Sequence, residues 1–292
     1  MVVCEADRPK EPRFPIYLPQ EKLDALQQTA NALVICGKGI LSTDENPATL
    51  GIRFSKMGIE NTPENRRRYR EILLSTDCSI KKYISGIILH PETLEQTTSD
   101  GRPMISLITN RHIIPGVKVN KDFVELPGTF DECTTQGLDD LARRCEDYRQ
   151  WGCRFAKWRC VFKISAPTPS RLALKEVANV LARYAVVSQV AGLVPLIEPE
   201  VVAEGNHKLV MAQHVYQEVL SHVFKALQDH HVFLEGILLE TNFLRSGHTN
   251  CYQSTVQENA ETSLEVLQRT VPPAVPGGGT AKDKLSTLKL PE

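Results

Sequence analysis

Short runs of apolar residues alternate along this chain with longer stretches whose apolar positions recur every three to four residues. The short runs fit buried strands and the longer ones amphipathic helices. The pattern predicts an N-terminal helix over 20–35 and a strand at Gly39–Thr43. Thr62, Pro63 and Glu64 supply an N-cap, a proline at the first helical position and an acid in the first turn, so a helix is expected over 63–75. Strands are expected at Ile84–Leu89 and 116–119, then a helix over 138–151 stopped by Gly152, then a strand over 155–163. Helix 170–190 leads into strand 193–197, helix 207–229 into strand 234–239, and a last helix covers 256–270.

Strands that alternate with helices in this way build a parallel sheet from βα units. Six such units are expected, with Val271-Pro272-Pro273-Ala274-Val275 as the start of a seventh strand. The fold class is therefore α/β, a TIM (β/α)8-type barrel that is incomplete. Residues 1–275 are expected to form the barrel domain. From Pro276 the chain enters Gly277-Gly278-Gly279-Thr280, and 276–292 is expected to be a flexible, Lys-containing tail. A βα unit takes about 30 residues, so this tail is too short to complete the barrel. Two strand edges should stay unpaired unless a partner or the tail covers them.

Composition adds limits rather than direction. The 292 residues are 41% hydrophobic and 24% charged with a net charge of −1, as in ordinary soluble domains. Near-neutral charge gives no broad attraction to nucleic acid or to an anionic membrane, and neither is expected as a partner. The first twenty residues contain no apolar core of a signal peptide. The most apolar stretch, 185–197, is interrupted by Ser188, Gln189 and Gly192, well short of a membrane span of about 18 apolar residues. The eight cysteines show no CxxC spacing, so reduced thiols and a cytoplasmic location are expected.

The chemistry concentrates on a few strands. Alternate residues of a strand share a face, so Lys157 and Arg159 point one way while Ala156, Trp158 and Cys160 point the other. Glu198 and Glu200 share a face across Pro199, Lys118 lies on the face of Gly116 and Asn120, and Glu240 on that of Leu238 and Asn242. Lys118, Glu198 and Glu240 come late in or just after their strands, where barrel enzymes carry catalytic groups. Two readings stand from spacing alone. The groups converge as an anion-binding acid–base site, or they form structural ion pairs that fill the barrel mouth.

The segments FAKWRC (155–160), ANVLARYA (178–185), VPLIEPE (194–200), DHHVFLEG (229–236) and RTVPPAV (269–275) closely resemble class I fructose-bisphosphate aldolase, with few gaps from about residue 17 to 275. Gly37-Lys38-Gly39-Ile40-Leu41 and Thr134-Thr135-Gln136-Gly137-Leu138 also belong to the resemblance. It implies a glycolytic carbon–carbon lyase that splits fructose 1,6-bisphosphate through a Schiff base, without metal or other cofactor, and that is typically a homotetramer. Asp44 matches the acid near the family's Schiff-base lysine, Lys157 the lysine that supports carbinolamine chemistry, and Glu198 the general acid–base. Glu200 matches the second glutamate of that strand, Lys118 and Arg159 match cations lining the site, and Thr49 and Arg53 fall near the substrate phosphate.

Three departures accompany the match. Glu240 stands where the family has its Schiff-base lysine. The family's glycine-rich phosphate loop, the arginine after strand eight and the C-terminal tail with its tyrosine find no counterpart. Near Asp44, Asn46-Pro47 replaces a Ser-Thr pair and Ile52 a lysine. A carboxylate cannot form the iminium electron sink, and a like-charge pair at about 4 Å costs roughly 4 kcal/mol at an effective dielectric of about 20. Glu240 is therefore expected to pair with Lys157 or to take up a proton. Related transaldolase barrels place their Schiff-base lysine on a different strand, which leaves Lys157 open as a relocated nucleophile. Three functions follow: an aldolase acting on a sugar phosphate, a non-catalytic paralogue that binds or assembles with aldolase subunits as a homo- or hetero-oligomer, and an unstable truncated product.

Other signals read as structural. His207, His214 and His222 are expected on one helix, facing solvent, and His230-His231 at its end. Arg66-Arg67-Arg68 reads as a solvated helix face. Gly37-Lys38-Gly39 lacks the rest of a P-loop pattern.

Overall fold

The structure, a computed structural model, describes residues 18–277. In chain order the strands are β1 (Gly39–Thr43), β2 (Ile84–Leu89), β3 (Ile114–Lys118), β4 (Phe123–Glu125), β5 (Cys133–Thr135), β6 (Phe155–Phe162), β7 (Val194–Val201) and β8 (Leu238–Leu239). The helices are α1 (Gln20–Leu33), α2 (Pro47–Ser55), α3 (Pro63–Leu74), α4 (Pro91–Glu95), α5 (Ser106–Thr109), α6 (Leu141–Gln150), α7 (Arg171–Val190), α8 (Leu209–Asp229) and α9 (Val256–Thr270). Six strands form one curled parallel sheet in the order β1-β2-β3-β6-β7-β8, and β4 and β5 pair apart as an antiparallel ribbon. This is an incomplete TIM-type α/β barrel, open between β1 and β8 among the described residues.

The two faces of the sheet bury different things. Outward, Ala156, Trp158, Cys160, Ile197 and Val201 pack against α7 and α8 in the largest apolar cluster. The Tyr184 hydroxyl on α7 donates to the carbonyls of Ala156 (2.7 Å) and Leu196 (3.1 Å), fastening helix to sheet. Inward, Ile88, Phe155, Val194, Leu196 and Leu238 meet Leu26, Ala30 and Leu33 of α1, which closes the N-terminal end of the half barrel. Ser85 Oγ donates to the Leu33 carbonyl at 2.6 Å, at the C-terminal end of that helix. Apolar residues thus fill the inner face near the N-terminal ends of β6 and β7, and charged ones follow further along the same face.

Prolines decide how far the sheet extends toward β8. The N–H groups of Val194 and Val202 turn to β6, donating to the Arg154 and Phe162 carbonyls, while the Ile197 carbonyl turns to β8 and accepts from Glu240. Odd-numbered residues of β7 therefore face β8, and two of these, Pro195 and Pro199, have no N–H to donate. Pairing with β8 is confined to Leu196↔Leu238 and Ile197↔Leu239. On the β6 side the pairing runs the whole length from Phe155↔Val194 to Phe162↔Val201.

The structure corrects several boundaries. The strand expected over 193–197 continues through Glu198-Pro199-Glu200 to Val201, because the prolines lack only hydrogens that β6 does not need. The strand expected over 234–239 is a 3-10 turn at Leu234–Gly236 followed by a two-residue strand. The expected seventh strand is a turn: the Val275 N–H donates to the Pro272 carbonyl at 3.1 Å, and Val275 is buried in the outer cluster. Helices expected from 138 and 207 begin at Leu141 and Leu209. α2, α4, α5 and the β4–β5 ribbon have no counterpart in the pattern reading. Of the tail expected over 276–292, residues 278–292 lie outside the described residues.

Gly116 faces inward one strand away from Phe155, and a Cβ there would collide with the Phe155 ring. Gly116→Ala should cost about 1–3 kcal/mol, the usual result of overpacking a filled core. A urea melt of the variant beside the parent chain checks this.

Candidate active site at the mouth of the half barrel

The inner face of β6 carries Phe155, Lys157 and Arg159 in succession, that of β7 carries Leu196, Glu198 and Glu200, and β8 runs from Leu238 to Glu240 just beyond its end. The alternation that sends Trp158 and Ile197 into the dry outer core therefore turns every one of these charged groups inward. Lys157 Nζ lies 3.1 Å from Glu198 Oε2 and 3.1 Å from Glu240 Oε2, and it donates to Glu240 Oε1 at 3.2 Å. Exposure separates the three side chains, at 5% for Lys157, 12% for Glu198 and 38% for Glu240. Glu198 Oε2 is close to the ammonium but off the axis of a hydrogen bond, and it has no hydrogen-bond partner. Arg159 Nε donates to Glu200 Oε2 at 2.6 Å and lies 3.8 Å from Glu198 Oε1. At the other side of the cluster, Lys118 Nζ is 3.8 Å from Asp44 Oδ2.

Burial and neighbouring charge set the proton affinities. Burial alone would push the Lys157 ammonium down, but Glu198, Glu240 and Asp44 together outweigh it, and its pKa is raised above the ordinary lysine value. Burial is also the largest influence on Glu198, and with the repulsion of Glu240 it pushes that carboxyl up to about 7 despite Lys157. Lys157 is thus held as an ammonium, while Glu198 is poised to exchange a proton near neutral pH.

The structure brings Asp44, Lys118, Lys157, Arg159, Glu198, Glu200 and Glu240 into this network. The alternative of pairing or protonation at Glu240 resolves as a pair with Lys157. Thr49 and Arg53 stand apart on α2. The Thr49 N–H donates to the N-cap Asn46, its side chain is exposed, and Arg53 pairs with Glu45 and not with the cluster. Sequence reasoning missed the parts that hold the site. Asn120 Oδ1 accepts the Arg159 N–H at 3.0 Å where β3 has ended, and Thr135 Oγ1 donates to the Arg159 carbonyl at 3.1 Å. The Arg159 guanidinium sits 5.7 Å from the centre of the Phe123 ring. Only the position of Asn120 on the face of Lys118 hinted at such a role.

Two further expectations are overturned. Arg66 is buried and shares Glu92 with buried Arg70, and Arg67 binds Glu64 and Glu71, so of the three arginines only Arg68 forms a solvated face. His207 precedes α8 and is buried, and of the three histidines only His214 is fully exposed. All described cysteines are free thiols, while Cys4 lies outside the described residues. No group of three or more candidate metal ligands and no helix long and apolar enough to cross a membrane occurs among the described residues.

A family model for class-I fructose-bisphosphate aldolase matches residues 25–290. The chain belongs to that family. The fructose-bisphosphate aldolases of Echinococcus multilocularis and Schistosoma mansoni are each 54% identical to it over 265 residues, which is 91% of this chain and 73% of theirs. The muscle-type aldolase of Lethenteron camtschaticum is 48% identical over 280 residues, covering 94% of this chain and 77% of its own length. The Plasmodium falciparum aldolase, solved with TRAP and a small-molecule inhibitor, superposes with a TM-score of 0.88 at 46% identity, over 90% of this chain and 76% of that one.

Within this aldolase scaffold the raised Glu198 has a stability consequence. A carboxyl whose folded pKa lies above its unfolded value of 4.5 binds more protons when folded, so its contribution falls as pH rises from 4.5 through about 7. Glu198→Gln removes that slope. Its stability relative to the parent should improve by on the order of 2 kcal/mol between pH 4.5 and 7.5. Denaturant melts of both proteins at the two pH values check this.

Proposed function

We propose that this chain keeps the architecture of a fructose-bisphosphate aldolase site and lacks its Schiff-base chemistry. The observation that carries the reading is the Lys157–Glu240 pair. Imine formation needs an unprotonated amine to attack a ketone carbonyl, with loss of water. Position 240 offers a carboxylate, and the nearest lysine is an ammonium clamped by two carboxylates. Lys157 as a relocated nucleophile is disfavoured by the same contacts, since Glu198 and Glu240 both stabilise its proton. Losing a covalent nucleophile lowers the rate by about six decades, roughly 8 kcal/mol of barrier.

The remaining groups keep their proposed roles around that gap. Glu198 is the acid–base group, Asp44 and Glu200 are its acidic neighbours, and Lys118 and Arg159 are the cations that would meet a sugar phosphate. Thr49 and Arg53 would reach such a ligand only by leaving their present partners. Four carboxylates now face three cations in the cluster, whereas a lysine at 240 would make it three against four. The reversal weakens attraction for an anionic ligand. A second reading, a non-catalytic subunit that assembles with aldolase subunits, is favoured by the two sheet edges, at β1 and β8, that no strand covers among the described residues. The domain reading follows the sequence expectation, with 1–275 as the barrel unit.

The test is intact-mass spectrometry after incubation with dihydroxyacetone phosphate and borohydride. The parent chain should give no reduced adduct. Glu240→Lys should give one, because an amine beside the Lys157 ammonium has its pKa lowered toward the nucleophilic range. An adduct on the parent chain that maps to Lys157 would overturn the reading.

A further inference from the structure

Glu240 is the most exposed carboxylate in contact with Lys157, and it stands just past a strand of only two residues at the open edge of the sheet. Its backbone N–H donates to the Ile197 carbonyl at 3.0 Å. Beyond that bond the ladder has ended, and among the described residues no strand flanks the other side of β8. A long acidic side chain on so short a strand needs another restraint to stay on its partner.

That restraint is two residues further along. Asn242 Nδ2 donates to the Val201 carbonyl at 2.8 Å, at the end of β7. The Tyr216 hydroxyl of α8 donates to Asn242 Oδ1 and lies 3.3 Å from the Asn242 carbonyl oxygen. The Asn242 amide is thus held through both of its ends, by strand and by helix. Tyr216 is almost fully buried, and burial raises its pKa above the ordinary tyrosine value, which keeps the hydroxyl a donor. The chain leaving Asn242 is tied once more where the Leu244 N–H donates to Ser263 Oγ of α9 at 2.8 Å. Glu240 is therefore fixed from both sides, by the Ile197 carbonyl through its own N–H and by the Tyr216–Asn242–Val201 bridge through the next residues.

We infer that Asn242, gripped by Tyr216, is a positioning residue that sets the Glu240 carboxylate on the Lys157 ammonium. Nothing in this arrangement depends on turnover, so it stands apart from the reading of catalytic loss. Without the bridge the segment after β8 gains freedom at the open edge, Glu240 leaves Lys157, and the ammonium turns to Glu198 alone. The partner of Glu198 is then stronger and its like-charged neighbour more distant, so Glu198 gives up its proton more easily.

The experiment is a carboxyl ¹³C NMR titration of Glu198 in the full chain, with Glu240→Gln as the reference. Tyr216→Phe and Asn242→Ala should each move the Glu198 midpoint downward, by roughly half a pH unit or more, in the direction Glu240→Gln moves it. In the Glu240→Gln background, Asn242→Ala should add no further shift. A purely structural loss would change the melting temperature and leave the midpoint in place. Tyr216→Phe keeps the buried ring, so it decides the matter where Asn242→Ala fails to fold. A folded Tyr216→Phe protein with an unmoved midpoint, or an additive shift in the double variant, overturns the inference.

Discussion

A lysine ammonium sunk among strands has to be paired, and the inner face of this half barrel is arranged around that requirement. Lys157 is almost wholly buried. An unpaired charge at such a depth is strongly destabilising, and breaking a buried pair typically costs about 3–5 kcal/mol. Glu198 on the next strand and Glu240 at the end of the following one meet the need together. Glu240 is thus a counter-charge that helps to hold Lys157 as an ammonium.

The strand can carry such a load because its two faces are so different. Trp158 and Cys160 anchor β6 in the outer core, and Tyr184 binds its backbone from α7. Phe155 fills the inner space beside Gly116 and separates the apolar end of the interior from the charged end. The sheet is paired along its whole length between β6 and β7 and is thin at β8, where proline leaves few hydrogens for the ladder. Glu240 consequently stands where backbone pairing is weakest. Side chains from α8 and from the following loop take over what the ladder does elsewhere.

Most of this design is readable in the order of residues. Period-two alternation assigns Lys157, Arg159, Glu198 and Glu200 to one face, and Thr62 marks the start of α3 through a side chain that accepts the Asn65 N–H. What escaped depends on partners distant in sequence. The strand expected to end at 197 runs on through Pro199, because the missing hydrogen of that proline faces the side that hardly pairs. Arg66 looks like part of a wet helix face until Glu92, beyond β2 in the chain, is folded against it and against Arg70. Val271–Pro272–Pro273–Ala274–Val275 has the composition of a strand start, but it bends into a turn and puts Val275 into the helical layer. Asn120 and Asn242 are unremarkable as letters. Their use comes from strands ending beside them and leaving backbone groups to be satisfied.

The meeting of Glu198 and Glu240 on Lys157 also explains where the strain of the site settles. Two carboxylates share one ammonium, and their mutual repulsion must raise the proton affinity of at least one of them. Burial selects which: Glu198 is far less exposed than Glu240, so loss of hydration falls mainly on it. The hydrogen-bond geometry agrees, for the ammonium donates to Glu240 Oε1 and leaves Glu198 Oε2 without a bond. A proton on Glu198 lowers the negative charge around Lys157 and relieves the repulsion between Glu198 and Glu240. A proton exchanged near neutral pH thus eases the crowding of two carboxylates about one ammonium.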